Sequence, residues 1–147
     1  MSNSEIFLQS KKKNAVLSAS LSNHVKLQDA YAAEKTSLGA FADIVYKTPG
    51  DGNSDKTTVF DYSAKKSTAG EWNAVSLVGL NDCQKGKQWA LLATYDQNKG
   101  TVSFKVGSDD RANCITSLTP NFCNLATSGQ CENGLPSAGA GGSSNNP

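Results

Sequence analysis

The first third of the chain carries a stripe at helical spacing. Leu17, Leu21, Val25, Gln28 and Ala32 step by three or four residues, and His24 and Tyr31 flank them. No Gly or Pro interrupts residues 2–38. Ser2 and Glu5 have the Ser-x-x-Glu spacing of a capping box, and Gly39 suits the position past a helix end, where φ is often positive. This pattern predicts a helix over residues 2–38. Leu17, Leu21, Val25 and Tyr31 are its expected contacts with the rest of the domain. Ala15, Ala19, Leu27, Ala30 and Ala33 form a second, shallower apolar face.

After Gly39 the period changes. Phe41, Ile44, Val45 and Tyr46 read as a short turn of helix or an extended segment, and PGDGNSD (residues 49–55) reads as a loop. Strand signals follow. VFDYSA (59–64) places Phe60 and Tyr62 on one face, and WNAVSLVGL (72–80) is rich in β-formers. QWALLATY (88–95) leads through DQNKG (96–100) into TVSFKV (101–106), a hairpin with Gly100 closing a five-residue loop. The expected fold class is α+β: a long N-terminal helix packed on a three- to four-stranded antiparallel sheet. The expected boundaries within one domain, 1–136, are helix 2–38, connecting loop 39–57, sheet 58–106 and an irregular cysteine-rich loop region 107–136. SAGAGGSSNNP (137–147) has the low-complexity composition of a flexible tail.

Helix length changes this picture. About 35 helical residues span roughly 50 Å at 1.5 Å per residue, whereas four strands about 4.8 Å apart make a sheet only about 20 Å wide. The N-terminal half, with Ile6, Phe7 and Leu8, is therefore expected to protrude and to meet a partner.

Composition narrows the function classes. The chain has 147 residues, 37% apolar and 18% charged, with a formal net charge of +1. Length favours one domain. Nucleic-acid binding needs a clustered basic face. Lys11, Lys12 and Lys13 are the only basic run and read as a solvated helix face. No stretch reaches the 18 consecutive apolar residues of a membrane span, and no secretory signal precedes the polar start. The four cysteines, Cys83, Cys114, Cys123 and Cys131, lack the Cys-x-x-Cys pair of zinc or redox sites. They point to two disulfides and an oxidising compartment, in which case Met1 is an added start and a targeting segment has been removed. Three connectivities are open. A Cys83–Cys114 bridge would stabilise by roughly 3–4 kcal/mol in the chain-entropy model.

Catalysis has little to work with, and the chain reads as a non-enzyme without a cofactor. His24 is the sole histidine, with no Cys or Asp at helical spacing, so it reads as a packing or surface residue. No Walker, G-x-S-x-G, H-E-x-x-H or G-x-G-x-x-G pattern occurs. Asp109 and Asp110 suit a solvated turn. Asp51, Asn53 and Asp55 open like a calcium loop, but Lys56 replaces the glycine and Tyr62 the bidentate glutamate, so no metal site is read there. Trp72, Trp89, Phe104 and Phe122 are strand-type core aromatics, or, as an alternative, a sugar-binding surface.

Taken in order, KLQDAYAAEKTSLGAFADIVY (26–46), VFDYSA, the strands ending NDC and beginning QWALLATYD, and CITSLTPNF (114–122) resemble the head of a type IV pilin or pseudopilin. The resemblance covers Leu17 to Phe122 and rests on the order of parts rather than on one motif. The processed N-terminus of pilins, with its two dozen apolar residues and assembly glutamate, is absent, and Glu5 does not take that role. The resemblance implies a structural subunit of an extracellular filament, or one at the periplasmic face of the cytoplasmic membrane. Its partners are other pilin-like subunits, met through the N-terminal helix at Ile6, Phe7 and Leu8. Membrane contact is implied only for the missing segment. The alternatives are a pseudopilin of a type II secretion system and an adhesin module for a surface polysaccharide. The disulfide expectation is checked by thiol counting under denaturing, non-reducing conditions: zero free thiols are expected, and four would remove both the cross-links and the oxidising compartment.

Overall fold

The computed structural model describes residues 3–50 and 54–136; through residue 16 it describes the backbone alone. The first helix, α1, spans Asn3–Lys35. It ends three residues before the expected Leu38. Thr36 closes the last turn, its N–H donating to the Ala32 carbonyl at 2.8 Å, and takes a left-handed backbone at φ 56. That conformation is uncommon for a β-branched residue. The Thr36 hydroxyl meets the Lys35 carbonyl at 2.6 Å, which uses one of the helix's last acceptors. Gly39, expected to be the left-handed residue, is not one. Glycine is required there for close packing instead: a Cβ would lie 2.9 Å from the Asp43 Cβ and 3.0 Å from Ile44 and Tyr31 atoms.

From Leu17 onward α1 buries one stripe. Leu17, Ser20, Leu21, His24, Gln28 and Ala32 are buried, and Val25, Leu27 and Tyr31 are half-buried against the core. The second face is mostly water-facing, since Ala19, Ala30 and Ala33 are exposed. A short helix, α2 (Phe41–Ile44), follows. Phe41, Ile44 and Tyr46 point inward, while Val45 is exposed at the left-handed cap, φ 59.

Four strands, β1 (Phe60–Asp61), β2 (Glu71–Ser76), β3 (Gln88–Asp96) and β4 (Thr101–Ser108), form one antiparallel sheet in sequence order. The sheet therefore runs two residues past the expected 106. Its pairing puts Trp72 beside Leu91 and Leu91 beside Val106; Ala74 faces Trp89, and Ala93 faces Phe104. Cross-strand partners share a face, and all of these residues are buried. Leu17 and Leu21 of α1 join the same buried cluster as this face, and α1 contacts β4. The β3–β4 hairpin closes with Asp96 paired to Thr101, leaving four loop residues rather than five. Asp96 takes the N–H groups of Asn98 and Lys99, and Gly100 supplies φ 67.

The region after β4 is not an irregular loop. A π-helical turn (Arg111–Thr116) and a 3-10 helix (Pro120–Leu125) return inward and bury Ile115, Leu118 and Phe122. Phe122 packs on Trp72 with ring centroids 6.3 Å apart. Trp89 Nε1 donates to the Thr119 hydroxyl at 3.2 Å, which itself donates to the Cys114 carbonyl at 2.8 Å. Disulfides join Cys83 to Cys114 and Cys123 to Cys131. The segment after the 3-10 helix covers the free edge of β4. Thr127 exchanges hydrogen bonds with the Phe104 backbone, and the Glu132 N–H donates to the Val106 carbonyl. Gly107 makes room for the Gly134 carbonyl, which lies 2.1 Å from where a Cβ would be. Gly107→Ala is therefore expected to destabilise by about 1–3 kcal/mol in urea unfolding, as overpacking against backbone does, and to deprotect the Glu132 amide first in hydrogen exchange.

Candidate functional site: the seam between helix and head

Three polar side chains lie one turn apart on the buried stripe of α1: Ser20, His24 and Gln28. A buried polar group is costly unless hydrogen-bonded, so their partners define the seam.

Both polar atoms of Gln28 have partners. Its Nε2 donates to the Gly39 carbonyl at 2.8 Å, and its Oε1 accepts the Gly39 N–H at 2.8 Å. The side-chain amide thus reads a backbone amide as a strand neighbour would. The bond chain continues beyond Gly39. Its carbonyl also accepts the Gly70 N–H at 3.1 Å, and the Gly70 carbonyl accepts the Ala93 N–H of β3 at 2.7 Å. Helix, connecting segment and sheet are joined in one line. Gly70 sits at φ 78, and a Cβ there would lie 2.7 Å from Leu38 Cδ1.

Ser20 is satisfied through Tyr46. The two hydroxyls hydrogen-bond to each other, and Trp72 Nε1 of β2 donates to the Tyr46 oxygen at 3.0 Å. Burial raises the Tyr46 hydroxyl above its ordinary pKa, with the Ser20 and Trp72 bonds opposing.

His24 differs. It has no exposed surface, and neither ring nitrogen has a hydrogen-bond partner. It packs edge-on against Phe41 (centroids 5.4 Å) and Tyr46 (5.1 Å), which contact each other at 4.7 Å. Burial lowers its pKa to about 4. The ring is a core member of the stripe rather than its flank.

The remaining expected residues fall as follows. Leu17 and Leu21 are fully buried in the core, and Val25 and Tyr31 half-buried beside it. Ile6, Phe7, Leu8, Lys11, Lys12 and Lys13 lie outside the residues whose side chains are described, as do Ser2, Glu5, Asp51 and Asn53. Asp55 is engaged: Lys66 Nζ approaches it at 2.7 Å and the Thr48 hydroxyl donates to it at 2.8 Å. The Lys66 bond, then that of Thr48, holds its carboxyl below the usual range. These groups line a surface cleft of about 390 Å³ beside Phe41 and Tyr46. Asp110 caps the π-helical turn, and Asp109 accepts the Gln88 N–H. Trp72, Trp89, Phe104 and Phe122 are all buried, which removes them as a sugar-binding surface. Among the described residues no group of three His, Cys, Asp or Glu side chains is placed to hold a metal, and no helix is long and apolar enough to cross a membrane.

Ser20, Tyr46 and Gly70 were not singled out as site residues by sequence. Gln28 within an apolar stripe was the one visible sign of a polar seam. The bonds of Gln28 and Ser20 tie α1 to the connecting segment and, through Tyr46, to β2.

No protein-family model matches the chain, no curated protein is similar to it in sequence, and no solved structure matches it.

Gln28→Ala would leave the Gly39 N–H without its acceptor and cut one donor from its carbonyl. A loss of about 1–3 kcal/mol is expected from the stranded donor, read as a lower urea midpoint with unchanged slope. A loss below 0.5 kcal/mol, on the order of a surface substitution, would contradict the seam.

Proposed function

We propose that this chain is a pilin-like structural subunit of an extracellular filament, assembling through its N-terminal helix. What supports the proposal is the length of the helix relative to the sheet it packs on. At 1.5 Å per residue the 33 residues of α1 extend about 50 Å. Four strands at about 4.8 Å spacing are about 20 Å across. Among the residues whose side chains are described, the buried stripe runs from Leu17 to Ala32. On this reading the N-terminal part of the helix extends past the sheet and packs on other chains, with Ile6, Phe7 and Leu8 the residues proposed to meet neighbouring subunits.

Two further features support the reading. The β4 edge is covered by the chain's own C-terminal segment, which disfavours assembly by strand addition and leaves the helix as the assembling element. The two disulfides suit an oxidising location, so the periplasmic face and the cell exterior are the proposed compartments.

The test is immunogold electron microscopy of surface-sheared material from producing cells, with an antibody against the head. Labelling along filaments is expected, together with its loss in a Phe7→Asp variant whose head unfolds at the wild-type temperature. Antigen confined to non-filamentous material in the wild type would overturn the reading.

A further inference from the structure

We propose that the seam around His24 is an acid-release device: taking up a proton there undocks the C-terminal half of α1 from the head while the sheet stays folded. The proposal does not depend on the filament reading.

The geometry carries it. His24 is fully enclosed between α1 and the Phe41 and Tyr46 rings, and no acceptor meets either nitrogen. A neutral imidazole leaves one N–H donor and one acceptor unpaired there, a smaller cost than burying an unpaired charge. An imidazolium carries two N–H donors and a charge, with nothing hydrogen-bonded to receive them.

The surrounding groups offer no counter-charge. On α1, Lys26 and Asp29 are exposed. On α2, Asp43 is turned to the Ala40 N–H at 2.9 Å. The Tyr46 and Tyr62 hydroxyls are held in their neutral form, both chiefly by burial. On β2, Glu71 faces Lys65. On β4, Lys105 is exposed, on the face opposite Phe104 and Val106. The 3-10 helix that α1 also touches has no charged residue. His24 makes no ion pair among the described residues, and burial alone accounts for its lowered pKa.

The direction follows from proton counting. The undocked helix exposes an ordinary histidine, with a pKa of 6.5, and the docked one holds it at about 4. The undocked state binds more protons between those values. Docking is at full strength above pH 6.5, weakens as pH falls toward 4, and changes no further below that. Within the window each pH unit favours undocking by up to about tenfold. Asp55, whose carboxyl is also held low, contributes only as pH falls below its ordinary value of 3.8.

The head is equipped to survive the release. Its own elements are joined by Cys83–Cys114 and Cys123–Cys131, neither of which involves α1.

The test is hydrogen exchange on the full chain between pH 7.5 and 4.5, corrected for intrinsic rates. Opening of residues 17–35 is expected to rise up to about tenfold per pH unit below 6.5, while β3 and β4 change little. His24→Leu should flatten that slope. A pH-independent α1, parallel opening of α1 and β3–β4, or an unchanged slope in His24→Leu would each overturn the proposal. If the variant does not fold, the wild-type His24 ring resonance decides. A midpoint near 4 that tracks α1 opening supports the device, and one near 6.5 refutes it.

Discussion

Helix, connector and sheet meet along a single line of hydrogen bonds, and the line exists because two residues in it have no side chain. Gln28 of α1 pairs with both backbone groups of Gly39, Gly39 with Gly70, and Gly70 with Ala93 of β3. A Cβ at Gly39 would press on Tyr31, Asp43 and Ile44, and one at Gly70 on Leu38. The connector is thus clamped between the helix it leaves and the sheet it serves. Its buried amides are satisfied at a place where neither helix nor strand geometry could satisfy them. Leu17, Leu21 and Ala32 supply apolar burial on either side, but apolar contact is tolerant of sliding. The directional bonds fix the register.

The head solves a second problem, that of a small sheet with two edges. One edge strand, β1, is only two residues long. The other, β4, is covered by the segment that Cys123–Cys131 holds in place. Both are recognised ways of preventing edge-to-edge pairing. The cysteine-rich region also thickens the core, because Ile115, Leu118 and Phe122 join the buried cluster that holds Trp72 and Trp89, with Phe122 packed on Trp72. The disulfides therefore join parts that already pack, and they close the same elements that bury the aromatics.

The strands and the stripe were legible because they depend on short-range periodicity. Alternation in QWALLATY and TVSFKV gave the hairpin, and steps of three and four gave Leu17, Leu21 and Gln28 a common face. The helix end was misplaced for a physical reason. Gly39 looked like the left-handed residue, but the turn was made by Thr36, and the glycine answered a packing need set by residues far along the chain. Partners such as Tyr46 for Ser20 are separated by 26 positions, and no local pattern encodes that distance. Cysteine pairing was unreadable for the same reason. Trp72, Trp89 and Phe104 lie on strands, where aromatics are usually core, and Phe122 lies on the 3-10 helix; the burial of all four leaves the surface without an aromatic platform built from them.

Functionally, the seam joins two roles in one face of one helix. Gln28 and Ser20 bond to the connecting segment, while His24 between them is buried with neither ring nitrogen hydrogen-bonded. The most direct test of the seam is a nuclear magnetic resonance measurement on the full chain at neutral pH. The account predicts nuclear Overhauser contacts from the Gln28 side-chain amide protons to Gly39, with the Gly39 amide as protected from exchange as the β3 amides. Exchange of both at free-peptide rates, with no such contact, would contradict it.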